Sequence, residues 1–514
     1  MTNSPTVVRS LLIYVICLPL AILVGYMMAS PLEWGSFITL GMVLAILSVP
    51  LLLKFHHPLL MFGWNSSMIV FFLPGAPTVW LPLVALSLTI SIVRRTIDPG
   101  YRFISVREIT LPLIALAVVI LVTAELTGGI KLRSMGGDTY GGKRYILMLG
   151  AVVGYFALTA QAIPAKRANL CIGLFLLGAA TTLVGDVFYF NYSWLRWLYW
   201  FFPPNIGLQS NGIIGRFSGI ANASSVFFSF MLAKYGIRKI LTIYHPWRCL
   251  LLIVFAFISL FGGFRSVFIT LVGVFTFQFF LEGLHRTRLM LVLATALILG
   301  GTLAFPFVRH LPYSVQRALA VLPLVEVDPI VRMDAEHSSE WRLNLWKALL
   351  PQVPKYLLLG KGFALTPGDY DYSLSNFTGA MQATSEDQSW AALAGDYHNG
   401  PLSVIILFGL WGAIAFIWFL ATGFHVLYRN YRYGDPALKT INCFLFASFI
   451  VRTLTFFIIV GGIQFDLPMF AGYLGLSIAL NGGVARRPAA SESPTELALP
   501  VREGYGRSWA GSAR

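Results

Sequence analysis

The 514-residue chain is 57% hydrophobic and only 11% charged, against about 25% charged residues in soluble domains, which excludes a large soluble enzyme on an anchor and leaves a polytopic membrane protein. Its net charge of +15 would suggest nucleic acid in a soluble protein, but no basic domain exists to carry such binding. The excess reads instead as basic cytoplasmic loops plus affinity for anionic membrane lipids.

A membrane span needs about 20 mostly apolar residues. Applied along the chain, that rule predicts an all-α polytopic transmembrane bundle of about 12–14 helices with one long, partly helical external loop. The candidate spans are 10–28, 35–53, 58–75, 78–93, 109–126, 145–162, 169–188, 217–234, 249–264, 266–283, 289–307, 401–424, 441–461 and 465–482. The first, behind Arg9, exceeds the core of a signal peptide and reads as a retained helix. The third is the weakest, being short and containing Asn65, Ser66 and Ser67. Losing it, or fusing it with the fourth, would change the count and flip the assignment of sides. Cys17, Cys171, Cys249 and Cys443 lie in or beside these spans without CxxC spacing and read as small buried apolar residues.

With the N terminus inside, the cytoplasmic loops collect Lys54, Arg94, Arg95, Lys166, Arg167, Arg238, Lys239, Arg286 and Arg429, while the short external loops at 29–34, 76–77 and 462–464 hold no Lys or Arg. That asymmetry is the positive-inside pattern. The glycine-rich loop 127–144 dissents, with Lys131, Arg133, Lys143 and Arg144 on the external side. A solvated loop is the plainer reading, contact with phosphate the alternative. Residues 189–216 contain WLRWLYWFFPPN, and such Trp/Tyr clusters favour the headgroup region. The stretch 308–400 is the one long polar segment. Within it 338–350 has an amphipathic helical pattern with Trp341, Leu345 and Leu349 on one face, capped by Ser338 or Ser339, and LLLGKGF reads as a turn. The expected division is a bundle over 1–307, an external (periplasmic) loop with short helices over 308–400, C-terminal helices over 401–482, and a disordered cytoplasmic tail over 483–514.

Charged groups inside such a chain are expensive and usually have a task. Arg265 is the sharpest, in FGGFRSVF between two apolar runs; its planar fork matches phosphate oxygens, and Gly262 and Gly263 permit a tight turn. The plainer reading is an interfacial arginine on ordinary lipid phosphate. Arg216 precedes the small-residue run FSGIANASS, where it suits either an anion or simple snorkelling. Arg342 sits beside Trp341 and near Trp346, unusual neighbours for a solvated charge. His398 lies where the long loop re-enters the membrane, with Asp396 and Asn399 beside it. Imidazole suits proton transfer near neutral pH, although a lone His is more often structural. Arg452, near the middle of FASFIVRTLTFFII, must face the bundle interior, a water cavity or a carboxylate. A structural ion pair with an acid from another helix comes ahead of substrate contact. Asp369-Tyr370-Asp371 forms a DxD, a weak metal signal in a loop where acids are common. No metal site and no cofactor is expected. By the predicted topology Arg216, Arg265, Arg342 and His398 fall on one side of the membrane, which suggests a site for a diphosphate-bearing lipid.

These pieces, in this order over about 210–420, resemble the O-antigen ligase and O-antigen polymerase superfamily. The resemblance rests on the arginine before a small-residue helix in GRFSGIAN, the Arg turn in GGFRS, WRLNLWKALL leading to GKGF, and HNGPLSVIILFGLWG. Relatives often carry a glutamate two residues before the first glycine of the Gly-x-x-Gly that closes the last motif (Gly409 and Gly412 here), where this chain has Leu407. The resemblance implies a membrane glycosyltransferase of the GT-C kind on the outer face of the bacterial inner membrane. It implies inverting, metal-independent transfer from an undecaprenyl-diphosphate-linked glycan to a sugar or lipid A-core hydroxyl. Arg216, Arg265 and Arg342 would then hold the diphosphate and His398 would accept the acceptor's proton. Asp396, Asn399 and Arg452 would be supporting residues. The alternative is a lipid-linked oligosaccharide transporter, which the mid-membrane Arg452 fits and the long external loop does not.

Overall fold

In the computed structural model the described residues are 34–98, 100–130, 141–191, 193–209, 214–365 and 394–487, with Tyr14, Cys17, Leu18, Ala21, Ile22 and Gly25. The rest of the first predicted span, residues 131–140 of the glycine-rich loop, Asp369-Tyr370-Asp371 and the tail beyond 487 lie outside them. In chain order the main helices are α1 (Trp34–Trp64), α2 (Trp80–Ile97), α3 (Arg107–Leu126), α4 (Gly142–Thr159), α5 (Ala168–Leu177), α6 (Thr182–Asn191), α7 (Ser218–Ile240) and α8 (Pro246–Ser259). They continue with α9 (Arg265–Leu281), α10 (Arg288–Ala304), α11 (Tyr313–Leu319), α12 (Pro329–Leu349), α13 (Gly400–Tyr433), α14 (Lys439–Leu454) and α15 (Ile463–Asn481). One antiparallel strand pair, β1 (Ile206–Gln209) and β2 (Ile214–Phe217), precedes α7.

Among the described residues seven helices are long and apolar enough to cross a membrane, and α8 and α9 belong to shorter apolar helices. The protein is an all-α polytopic bundle. Its surface is apolar where lipid would lie: α10 has no buried residue and leaves Leu291, Ile298 and Leu303 about 70% exposed. Within the bundle α15 packs along α4 and α13 along α3. Phe416, Phe456 and Phe470 meet ring to ring in the interior. Such packing and internal hydrogen bonds hold membrane helices together, since lipid tails are as apolar as leucine.

The predicted spans 35–53 and 58–75 form a single helix, α1, which runs through Pro50 and Pro58 and ends at Trp64. The polar triplet explains the stop. Asn65 donates to the Phe175 carbonyl at 2.7 Å, and the Ser66 and Ser67 hydroxyls stand 3.1 Å from that of Thr181. These side chains satisfy themselves on the α5–α6 segment instead of lying in lipid.

Two helices are broken at a glycine, and both breaks are mended by side partners. In α13 Gly409 has φ 64° and ψ −164°. The segment after α12 supplies the missing bonds: Lys361 N–H and Gly362 N–H donate to the carbonyls of Ile406 and Leu407 (2.7 and 3.0 Å), and Leu410 N–H donates to that of Leu357 (2.6 Å). The turn read at LLLGKGF is thus a re-entrant patch on a broken helix, its own bend made by Gly360 and Gly362 at positive φ. In α7 Gly236 has φ 70°, and the Glu282 carboxylate accepts from Ile237 N–H (2.9 Å) and Arg238 N–H (3.1 Å). Unmet backbone groups are costly in lipid, so irregular backbone survives there only with such partners.

Candidate active site

Four chain segments deliver the charged side chains. Arg216 lies on β2 opposite Gly207, immediately before α7. The buried carboxylate of Asp186 fixes this corner, accepting from Asn205 N–H (2.8 Å), Gly219 N–H (2.6 Å) and Ile220 N–H (3.3 Å). It ties the strand pair to the first turn of α7. Between α8 and α9, Gly263 turns the chain in the left-handed region (φ 66°), and Arg265 opens α9. Arg342 lies on α12. That helix begins nine residues before the predicted 338, because Asp328 caps it by accepting from Ile330 N–H (2.9 Å) and Pro329 takes its first position. The serines predicted as caps lie mid-helix, and Ser339 Oγ instead accepts from Arg265 Nη2 at 3.0 Å. His398 precedes α13 at φ 48°, a left-handed conformation uncommon for residues other than glycine. Trp346 of α12 holds it there by donating to the Tyr397 carbonyl at 3.0 Å.

Arg216, Arg265, Arg342 and His398 all line one cavity of about 720 Å³. A fourth guanidinium, Arg317 of α11, completes it. Arg317 is buried, paired with Asp334 of α12, and donates from Nη1 to the Gly263 carbonyl at 2.7 Å. It therefore braces the turn that carries Arg265. Among the described residues Asp334 is the one carboxylate lining this cavity. Arg216 lies 4.9 Å over the Phe264 ring, and its buried Nε has no hydrogen-bond partner. Burial, then the charge of Arg317, lower Arg216 to about 10. Burial, then Arg317, lower Arg342 as well. Arg216 remains a cation at neutral pH, and an anion in the cavity would relieve the crowding. The cavity also receives the N-terminal end of α9, whose dipole favours negative charge.

A second cavity, of about 370 Å³, shares Ser266 and His398 with the first. Its wall includes Asn222, Ser225, Ser229, Thr270, Asp396 and the pair Arg452–Asp466. Asp396 Oδ2 stands 4.0 Å from His398 Nε2, at ion-pair range and beyond hydrogen-bond length. Arg452 Nε lies 2.6 Å from Asp466 Oδ1 as an ion pair without an aligned hydrogen bond. The other Asp466 oxygen accepts from Gly462 N–H at 2.9 Å. The partner expected for Arg452 thus comes from α15, and the pair also faces an open space. Asn399 lines neither cavity; its carboxamide oxygen caps α13 by accepting from Leu402 N–H at 3.0 Å.

Sequence reasoning missed Arg317, Asp334, Asp186 and Asp466. Arg317, in YSVQRALAV, gave the same signal as Arg265, a lone charge among apolar neighbours, but lay inside a stretch read as polar loop. The carboxylates gave none, because their partners are distant in sequence. Among the described residues no group of three or more His, Cys, Asp or Glu is placed to hold a metal ion.

The protein is thus a multi-pass membrane bundle in which four arginines and two histidines line one cavity. Residues 249–417 match the O-antigen ligase family. The match spans about a third of the chain and supports the O-antigen ligase and polymerase superfamily for that stretch. The matched stretch contains Arg265, Arg317, Arg342, Asp396 and His398, while Arg216 and Arg452 fall outside it. No curated protein matches the chain.

Proposed function

We propose that this protein transfers a glycan, with inversion and without a metal, from a polyprenyl diphosphate of the undecaprenyl kind to a sugar hydroxyl, as an O-antigen ligase or polysaccharide polymerase. The observation that carries the reading is the lining of the larger cavity: among the described residues, four guanidiniums and the imidazoles of His337 and His398 against a single carboxylate, which Arg317 already engages. The acceptor oxygen attacks the anomeric carbon opposite the leaving group. The carbon–oxygen bond to the diphosphate breaks and its electron pair stays on the diphosphate. Arg216, Arg265 and Arg342 stabilise that growing charge as preplaced donors. A ring nitrogen of His398 takes the hydroxyl proton. The energy lies in the sugar–phosphate bond, so no nucleotide is consumed. In this reading the protein lies in the plasma membrane with its cavity open to the periplasmic side.

The test is to incubate reconstituted protein with a polyprenyl-diphosphate glycan and acceptor, with chelator and without nucleotide. Release of polyprenyl diphosphate together with an inverted linkage is the expected result, lost in His398→Ala. Unchanged turnover in His398→Ala would remove the base assignment. Wild-type inactivity accompanied by glycolipid flipping in liposomes would favour a transporter.

A further inference from the structure

The two cavities meet at His398 and Ser266 but differ in chemistry. The larger one presents an excess of cations. In the smaller one Arg452 is matched by Asp466, and Asp396 adds a further carboxylate. A diphosphate is attracted to the first and repelled by the second. The smaller cavity is otherwise walled by groups that recognise hydroxyls. Ser225 and Ser229 spend their protons on carbonyls of their own helix, those of Asn222 (2.8 Å) and Ser225 (2.9 Å). Toward the cavity their oxygens are therefore acceptors for a ligand O–H. Asp396 and Asp466 add acceptors, Arg452 a donor, and Asn222 both. At about 370 Å³ the space falls in the ~300–1,000 Å³ range of small-molecule sites.

Reaction geometry points the same way. Displacement with inversion brings the nucleophile in opposite the leaving group. With the diphosphate on the arginines, the acceptor needs a separate space that reaches His398, and the smaller cavity is such a space, sharing His398 and Ser266 with the first.

We propose that the smaller cavity is the acceptor subsite, taking an uncharged, hydroxyl-rich sugar on Asn222, Ser225, Ser229, Asp396 and the Arg452–Asp466 pair. This rests on the glycosyl-transfer reading above. The sugar is presented to His398 from the smaller cavity, so donor and acceptor enter separate spaces that meet at the imidazole and Ser266.

The test is a two-substrate kinetic analysis in nanodiscs, with a polyprenyl-diphosphate glycan as donor and, in separate runs, lipid A-core or a second copy of the lipid-linked glycan as acceptor. Ser229→Phe fills the cavity and Asn222→Leu removes a polar partner at an exposed position, so the second variant keeps the test alive if the first does not fold. Both are checked for monodisperse elution and wild-type melting. The expected result is a rise in acceptor KM of at least about tenfold, with donor KM moving less than about threefold, whereas Arg265→Ala raises donor KM. An acceptor KM unmoved in both variants, or a donor KM that rises as far as the acceptor KM, overturns the acceptor assignment while wild-type turnover keeps the transfer reading intact. A wild-type protein that releases no polyprenyl diphosphate with either acceptor overturns the transfer reading and this one with it.

Discussion

The indole of Trp341 meets the imidazole of His398 edge-on, with ring centroids 5.5 Å apart and planes at 69°. The next residue on the same helix is Arg342, and one turn further Trp346 holds the backbone just before His398. One rigid helix, α12, thus sets the spacing between a cation of the cavity and the proposed base. In that arrangement Trp341 and Trp346 are positioning residues. Trp341→Ala is expected to lower kcat about tenfold with little change in donor KM, and Trp341→Phe to recover most of it. His398→Ala is expected to cost at least about a hundredfold, the lower range for a general base. Steady-state kinetics with both substrates separate the two effects.

Removing a single cavity arginine deletes charge-assisted contacts worth about 1.5–3 kcal/mol, or roughly 10–100-fold in kcat/KM. Arg216→Ala, Arg265→Ala and Arg342→Ala should each show such a loss, and Arg265→Lys an intermediate one, because the charge stays and the planar fork goes. Because Arg216 is lowered to about 10, it loses its charge as pH rises through that value, so donor KM should climb on the alkaline side in the wild type and less steeply in Arg216→Ala. A pH series of donor KM provides the check.

Arg317 and Asp334 form a buried pair that braces the Arg265 turn. Arg317→Met or Asp334→Leu alone leaves a buried charge without this partner and should destabilise the protein by about 3–5 kcal/mol. The double variant Arg317→Met/Asp334→Leu should lose less stability than either single change, while still weakening donor binding. Thermal melting of the four proteins in detergent, read as a double-mutant cycle, tests the coupling.

Gly409 is held at positive φ where α13 breaks. A Cβ there would lie 2.8 Å from the Leu357 carbonyl oxygen and 2.9 Å from that of Leu358. Gly409→Ala should therefore cost at least the ~1–3 kcal/mol of a strained backbone and separate the re-entrant patch from α13. A lowered melting temperature with faster amide exchange over 357–362 is the expected outcome.

The bundle and much of the site were legible because composition and isolated charges speak locally. Arg265 announces itself within FGGFRSVF, and His398 within DYHNGPLSV. What was not legible depends on pairing across the fold. Asp186 looks like the polar end of a span until its three backbone partners are known. Asp466 was one acid among several candidates for Arg452 until α15 packed beside α14. The strands β1 and β2 are four residues each, too short for alternation to register. The break in α13 was hidden because one glycine in an apolar run leaves the hydropathy of a continuous helix.

After Arg452 the chain relaxes into a wide π-helical turn, Thr455–Ile459. Thr455 faces the smaller cavity, while Ile458 and Ile459 face the larger. This turn is a party wall. Moving it to enlarge one chamber shrinks its neighbour, so in a lineage with this architecture a change of tolerated occupant in one chamber carries a matching change in the other, and the two selectivities evolve as a couple.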